Sequence, residues 1–102
     1  MAEYVQVMSA AELPPGRAVE RLVEGRPVAL YNVDGRFYAT SNLCLHRGGP
    51  LGQGQLDGPV IMCPWHAWTF DVTTGESTVS PELRLPCHAV KVEDGQILVE
   101  IL

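Results

Sequence analysis

The sequence predicts an all-β domain of short antiparallel strands. Its 102 residues include ten Gly and eight Pro, which favour turns and interrupt long helices. Two dipeptides, Asp34-Gly35 and Asp94-Gly95, each separate two apolar, β-branched runs, which is typical of a two-residue β-hairpin turn. Helical spacing of apolar residues persists nowhere long enough to predict a helix longer than one turn.

The predicted strands follow one another with turns between them. Ser9 can cap a single helical turn, with Glu12 as its capping-box partner. The segment 41–59 is rich in Gly and other turn formers, so we predict a loop there. The length fits one domain, spanning 1–102. We predict strands over residues 4–8, 28–33, 36–40, 60–62, 67–72, 89–92 and 96–101, whereas residues 17–23 show only a loose alternation that ends at a break over 25–27.

Composition and charge limit the classes of function that we expect for this chain. The formal net charge is −5, and no block of Lys or Arg interleaved with aromatic residues occurs, so we expect no nucleic-acid binding. An acidic surface instead favours basic patches on protein partners. No export signal or apolar stretch long enough to cross a bilayer is present, and the cysteine count, three, is odd. We therefore expect no membrane association and a reducing, cytoplasmic location.

Two short fragments carry the chemistry: Cys44-Leu45-His46 and Cys63-Pro64-Trp65-His66. Each supplies one thiolate and one imidazole from a turn, and a hairpin between them could bring the two turns face to face. Two Cys and two His suit zinc or an iron–sulfur cluster. Structural zinc sites usually pair Cys with Cys and His with His, whereas here each fragment is mixed. The spacing therefore departs from the usual structural zinc pattern.

This mixed arrangement resembles the Rieske family, in which two Cys hold one iron of a [2Fe–2S] cluster and two His hold the other. The resemblance implies a Rieske-like fold with a cluster-binding subdomain made of two loops, about 42–81. It also implies one [2Fe–2S] cluster, with Pro81 in a loop that shields it. Gly48 and Gly49 are candidates for aiming backbone N–H groups at cluster sulfur. The residues that match the ligands, as cofactor and metal site, are Cys44, His46, Cys63 and His66.

Departures from the family pattern indicate which branch the chain resembles. The cytochrome bc-type branch has a disulfide where this chain has Gly49 and Trp65, and hydroxyl side chains where it has Trp68 and Phe70. Hydrogen bonds to sulfur stabilise the added electron, so their loss predicts a low reduction potential, around −150 mV. The chain thus resembles soluble, oxygenase-associated Rieske ferredoxins.

The resemblance to these ferredoxins implies an electron carrier rather than an enzyme. Its electron donor would be a flavin-containing NAD(P)H reductase and its acceptor a terminal oxygenase. Two alternatives stay open at this point. The chain could be a small iron–sulfur subunit of a reductase complex, as in nitrite reductase, or a structural zinc module for protein interaction.

Four further residues have weaker claims to a role. Cys87 and His88 look like a third metal pair, but a half-buried thiol and a surface imidazole are the simpler expectation. Trp65 and Trp68 flank His66, and we expect one to line a docking surface and the other to pack beneath the loop.

Overall fold

The computed structural model describes residues 3–44, 48–65, 67–80 and 82–101. Within them the chain forms antiparallel strands and two short 3-10 helices, Ala10–Glu12 and Leu51–Gln53, so the all-β prediction is confirmed. The strands are β1 Glu3–Ser9, β2 Ala18–Val23, β3 Arg26–Val33, β4 Arg36–Ser41, β5 Gln55–Asp57, β6 Val60–Met62, β7 Thr69–Asp71, β8 Cys87–His88, β9 Val90–Glu93 and β10 Gln96–Ile101.

Three small sheets organise these strands. One sheet has the order β1-β10-β9 and a second has β2-β3-β4-β8. The third, β5-β6-β7, is separate from both. All neighbouring strands in the three sheets pair antiparallel. The third sheet and the loop that follows β4 together form the part of the molecule that carries the two mixed fragments.

Two-residue turns close three of the hairpins. Both predicted Asp-Gly turns are present, and both residues of each have positive φ (51° and 91° at Asp34-Gly35, 50° and 75° at Asp94-Gly95). A third turn of this kind, Glu24-Gly25, joins β2 to β3 with φ of 52° and 79°. The sequence indicated only a break at 25–27, because Glu enters the left-handed region less readily than Asp or Asn.

The structure differs from the predicted strands in four places. The strand predicted over 67–72 is only Thr69–Asp71, because Ala67 takes a positive φ of 56° before it. Residues 18–23, which show only a loose alternation in sequence, form the strand β2. Two other strands, β5 and β8, were not predicted either. Each is three residues or fewer and has little strand propensity of its own, so pairing with a neighbouring strand decides its conformation.

Buried apolar residues form two clusters. One lies between the sheet of β1, β9 and β10 and the β2–β4 hairpins and includes Leu30, Ile97 and Val99. The other contains both Cys44 and Cys63, so the predicted ligand thiols belong to a packed core. Its buried members are Ala29, Tyr31, Cys44, Leu51, Ile61, Cys63, Phe70, Val72 and Leu85. Across the described residues, no helix is long and apolar enough to span a bilayer.

Candidate metal centre

The first loop follows β4 and carries Cys44. The Cys44 N–H donates to the Gly49 carbonyl at 2.9 Å, and the Gly48 N–H donates to the Cys44 carbonyl at 2.8 Å. Leu43 and Pro50 form an isolated β-bridge just outside these bonds. The loop is thus closed on itself, and it holds the Cys44 side chain in the core at 3% exposure.

The second loop follows β6 and carries Cys63. The Cys63 N–H donates to the Trp68 carbonyl at 2.7 Å, which closes a tight turn between β6 and β7. Cys63 is 1% exposed. The pairing of Met62 with Thr69 fixes the register of this turn, so the place of Cys63 follows from the β6–β7 ladder.

The two loops bring the thiols of Cys44 and Cys63 next to each other in the core. Burial raises the pKa of the Cys63 thiol, a hydrogen bond from the Trp65 backbone lowers it, and the neighbouring Cys44 thiol raises it; the net direction is upward. Both cysteines are free. Two adjacent buried thiols with a backbone donor beside them suit a metal centre that takes thiolates, because bound metal replaces the thiol protons.

Gly49 lies where the loops meet. A Cβ on Gly49 would be 2.7 Å from Cys63 Sγ, closer than real Cβ contacts, and 3.2 Å from Trp65 Cβ, closer than most of them. Only glycine leaves this space open. Gly49 and Trp65 are also the positions at which the bc-type branch has its disulfide. Here direct packing of the second loop on the Gly49 backbone takes the place of that covalent link.

Several predicted residues fall outside the described part of the chain. These are the candidate ligands His46 and His66 and the expected shielding residue Pro81. The expectation for Gly48 is wrong as stated, because its N–H donates to the Cys44 carbonyl instead of pointing at sulfur.

The two tryptophans differ in environment. Trp65 is 49% exposed, whereas Trp68 is partly buried against the core cluster that contains the cysteines. The Trp68 ring centroid lies 6.4 Å from that of Phe70, which is fully buried. One exposed and one packed tryptophan agree with the sequence-based expectation, and no hydroxyl stands at position 68 or 70.

Cys87 and His88 lie on β8, opposite Thr40 and Ala39 of β4. The Cys87 residue is exposed although its thiol is partly buried, and His88 is partly buried instead of lying at the surface. Strand pairing at the edge of the sheet sets this orientation, and an isolated sequence could not show it. Among the described residues, no group of three or more His, Cys, Asp or Glu surrounds this pair.

A polar network that the sequence did not predict lies behind the first loop. Asn42, 6% exposed, bonds the Gly52 N–H and the Glu20 carboxylate, and Gln53 bonds the same carboxylate. Glu20 and Asn42 are 22 residues apart in sequence. An Asn two residues before a candidate ligand is visible in the sequence and could have been proposed as a support of the loop. Its partner on β2 could not, because only the fold brings the two residues together.

Comparison with known proteins identifies relatives over nearly the whole chain. The Rieske [2Fe–2S] domain family matches residues 3–96. The ferredoxin component of the naphthalene 1,2-dioxygenase system of Pseudomonas aeruginosa is 34% identical over 100 residues, covering 97% of this chain and 96% of the relative.

Solved structures agree with the sequence relatives. A chain from the complex of reduced oxygenase and oxidized ferredoxin in carbazole 1,9a-dioxygenase superposes with a TM-score of 0.85 and 37% identity, covering 94% of this chain and 91% of that one. The structure of a nitrite reductase small subunit from Mycobacterium tuberculosis, described there as NADH-dependent, has a TM-score of 0.90 at 24% identity, covering 100% and 97%. At that identity the second likeness extends to the fold alone.

Proposed function

Because this chain belongs to the Rieske [2Fe–2S] family and is an electron carrier of the ferredoxin type, we propose that it passes single electrons from a flavin-containing NAD(P)H reductase to a terminal oxygenase. Its cofactor is one [2Fe–2S] cluster, and it is a component of such a system, not the catalyst. The predictions of family, cofactor and carrier function are confirmed. The ferredoxin components named among its relatives, and the oxygenase–ferredoxin complex, support the oxygenase as acceptor.

The single observation that carries the proposed site is the buried pair of thiols. Cys44 and Cys63 are free, adjacent and enclosed by the two loops that contain the mixed fragments. We assign these two thiolates to one iron, and the imidazoles of His46 and His66, each within three residues of one of the thiols, to the other. When bound, the cluster takes up and releases one electron.

The surroundings of the thiols favour a low potential. The Trp65 backbone amide donates to Cys63, but Trp68 and Phe70 bring no hydroxyl to the site. Without these two hydroxyl donors the reduced state is less stabilised, so we propose a midpoint near −150 mV.

The acidic surface and the exposed ring of Trp65 support docking to a partner. With a net charge of −5, the chain is attracted to a basic surface, and an exposed aromatic next to a ligand loop is typical of an interface. We further propose that residues 1–102 form one domain and that it works in the cytoplasm, where free cysteines such as these three persist.

The ligand assignment is tested by replacing each candidate in the full chain. Cys44→Ser, His46→Ala, Cys63→Ser and His66→Ala should each abolish the red-brown colour, the acid-labile sulfide and the EPR signal of the reduced protein. The chain offers matched controls of the same residue types, since Cys87→Ser and His88→Ala should keep all three. A ligand variant that retains a full cluster would overturn the assignment.

The electron-transfer proposal is tested separately. The wild-type protein should restore NADH-dependent substrate oxidation to a reductase and a terminal oxygenase that are inactive without a ferredoxin. Failure with every oxygenase system tried, together with tight co-purification with a nitrite reductase large subunit, would instead support the alternative subunit role.

A further inference from the structure

We propose that Asn42 is a positioning residue that closes the loop carrying Cys44, and that Glu20 on β2 orients it. The Asn42 N–H donates to the Pro27 carbonyl at 3.0 Å, and its own carbonyl accepts from the Leu51 N–H at 2.9 Å. Its side-chain Oδ1 accepts from the Gly52 N–H at 2.7 Å. One residue therefore joins the start of the loop to its end, ten residues later.

Glu20 fixes the orientation of the Asn42 amide. The Asn42 Nδ2 donates to Glu20 Oε2 at 2.8 Å, which leaves Oδ1 facing Gly52. Gln53 Nε2 donates to the other Glu20 oxygen at 2.6 Å, so the carboxylate is held from two sides. A turned amide would place its NH2 group against the Gly52 N–H and its oxygen against the carboxylate, and both contacts would be repulsive.

The end of the loop lies directly against β2. A Cβ on Gly52 would lie 2.7 Å from the Glu20 backbone nitrogen and 2.8 Å from the Val19 carbonyl carbon. The end of the loop is thus packed directly on strand backbone, with Asn42 and Glu20 bonding across the same contact. The first ligand loop is anchored to the β2–β4 sheet as well as to the second loop.

This anchoring has a consequence for the metal centre. Asn42 lies two residues before Cys44 and itself contacts no thiol in the bonds described, so it acts through the loop. The inference rests on the proposed role of Cys44 as a ligand. Residues that support metal ligands in this way typically change metal affinity by about 10- to 100-fold when they are replaced.

The chain contains a matched control in Asn32. It is buried to a similar degree, at 4% exposure, its Nδ2 donates to the Leu13 carbonyl at 2.7 Å and its Oδ1 accepts from the Gly35 N–H at 2.8 Å. The chemistry matches that of Asn42, but its two side-chain bonds join the β3–β4 turn to Leu13, and neither of them reaches a ligand loop. A purely structural asparagine is expected to behave like this one.

The first experiment compares Asn42→Ala with Asn32→Ala in the full chain. Two quantities are measured: the unfolding free energy of the cluster-free protein and the rate at which a chelator removes iron from the loaded protein. Both variants should lose stability, and Asn42→Ala should lose iron about 10- to 100-fold faster. Asn32→Ala should stay within about twofold of the wild type. Equal acceleration in the two variants would overturn the proposal.

A second pair of variants keeps the test decisive if Asn42→Ala does not fold. Asn42→Asp keeps the acceptor for Gly52 but sets a carboxylate against Glu20, so iron loss should accelerate. In Asn42→Asp/Glu20→Gln the donor and acceptor are exchanged and the net charge is unchanged, so the wild-type rate should return. If the double variant loses iron as fast as Asn42→Asp does, the orienting role of Glu20 is refuted.

One further arm separates this inference from the proposed ligand set. Cys44→Ser is loaded with iron and sulfide alongside the other variants. If it keeps a full cluster, the ligand assignment fails. If it loses the cluster while Asn42→Ala and Asn32→Ala behave alike, only the positioning role of Asn42 fails.

Discussion

Replacing Gly49 by alanine isolates the contact between the two ligand loops. The new methyl group would lie 2.7 Å from Cys63 Sγ and 3.1 Å from Trp65 Cγ, against 3.4 Å or more in ordinary contacts. The φ of Gly49 lies outside the left-handed region, so alanine adds no backbone strain. Any effect of Gly49→Ala must therefore come from steric contact between the added methyl group and its neighbours.

The size of the effect should differ between the loaded and the cluster-free protein. Without a cluster, the Cys63 thiol can rotate away from the methyl group, so the cluster-free protein loses only the stability that the remaining contact with Trp65 costs. With a cluster, Cys63 Sγ is held in place and the overpacking cost of about 1–3 kcal/mol is felt in full. That cost corresponds to about 5- to 150-fold weaker retention of the cluster.

The assay is iron and sulfide per chain after reconstitution, followed by the rate of bleaching in chelator and thermal unfolding of both forms. Gly58→Ala is the control: Gly58 has a positive φ of 56° and open space around it, so alanine strains the backbone without touching the site. Gly58→Ala should lower the stability of both forms alike and leave retention unchanged. If Gly49→Ala retains its cluster as well as the wild type does, the close contact between the two loops is refuted.

Three further predictions concern potential, pH and docking. The double variant Trp68→Ser/Phe70→Tyr places hydroxyls where the bc-type branch has them. Its midpoint potential in a redox titration should rise by about 59 mV for each 1.4 kcal/mol by which the hydroxyls favour the reduced state. An unchanged or lower midpoint would contradict the reasoning. Hydrogen bonds from Gln53, the larger cause, and from Asn42 hold the pKa of Glu20 below its ordinary value of 4.5. The stability that the ionised Glu20 adds to the fold is therefore fully present above about pH 4.5 and is lost as the pH falls through the lowered pKa. Urea unfolding of Glu20→Gln should therefore show a shallower loss of stability than the wild type below that pH, and parallel curves would count against it. Trp65→Ala should weaken binding to a terminal oxygenase by about tenfold in a titration while the midpoint potential stays constant, and unchanged binding would exclude the exposed ring from the interface.

The parts of the fold that the sequence could predict are those with a local cause. Asp34-Gly35 and Asp94-Gly95 form turns because their own backbone preferences match the hairpin, whatever surrounds them. The capping box of Ser9 and Glu12 is present for the same reason. In contrast, β5 consists of Gln-Leu-Asp and forms only because it pairs with β6, which is a property of the assembled sheet.

The metal centre likewise has features with a local cause and features that depend on the assembled fold. The candidate ligands could be proposed from spacing alone, because each Cys and its His lie within three residues of one another, and the structure places the two cysteines together. The ligand set as a whole stays a prediction. Gly49 was singled out for its N–H group, whereas the structure gives it a steric role against Cys63 that depends on a residue in the other loop.

The support of the first loop shows why a ligand motif is easier to recognise than the scaffold that makes it work. Cys44 can bind metal only if its loop keeps one conformation, and the bonds that fix the loop come from Glu20 on β2 as well as from within 42–52. Neither Glu20 nor Gln53 is unusual in sequence, and in the fold Glu20 is partly buried and Gln53 is exposed. Their importance comes from the β2–β3–β4 pairing, which sets Glu20 beside Asn42. A pair of Rieske-like loops placed on a scaffold without this strand would keep the four candidate ligands and lose a constraint that holds one of them in position.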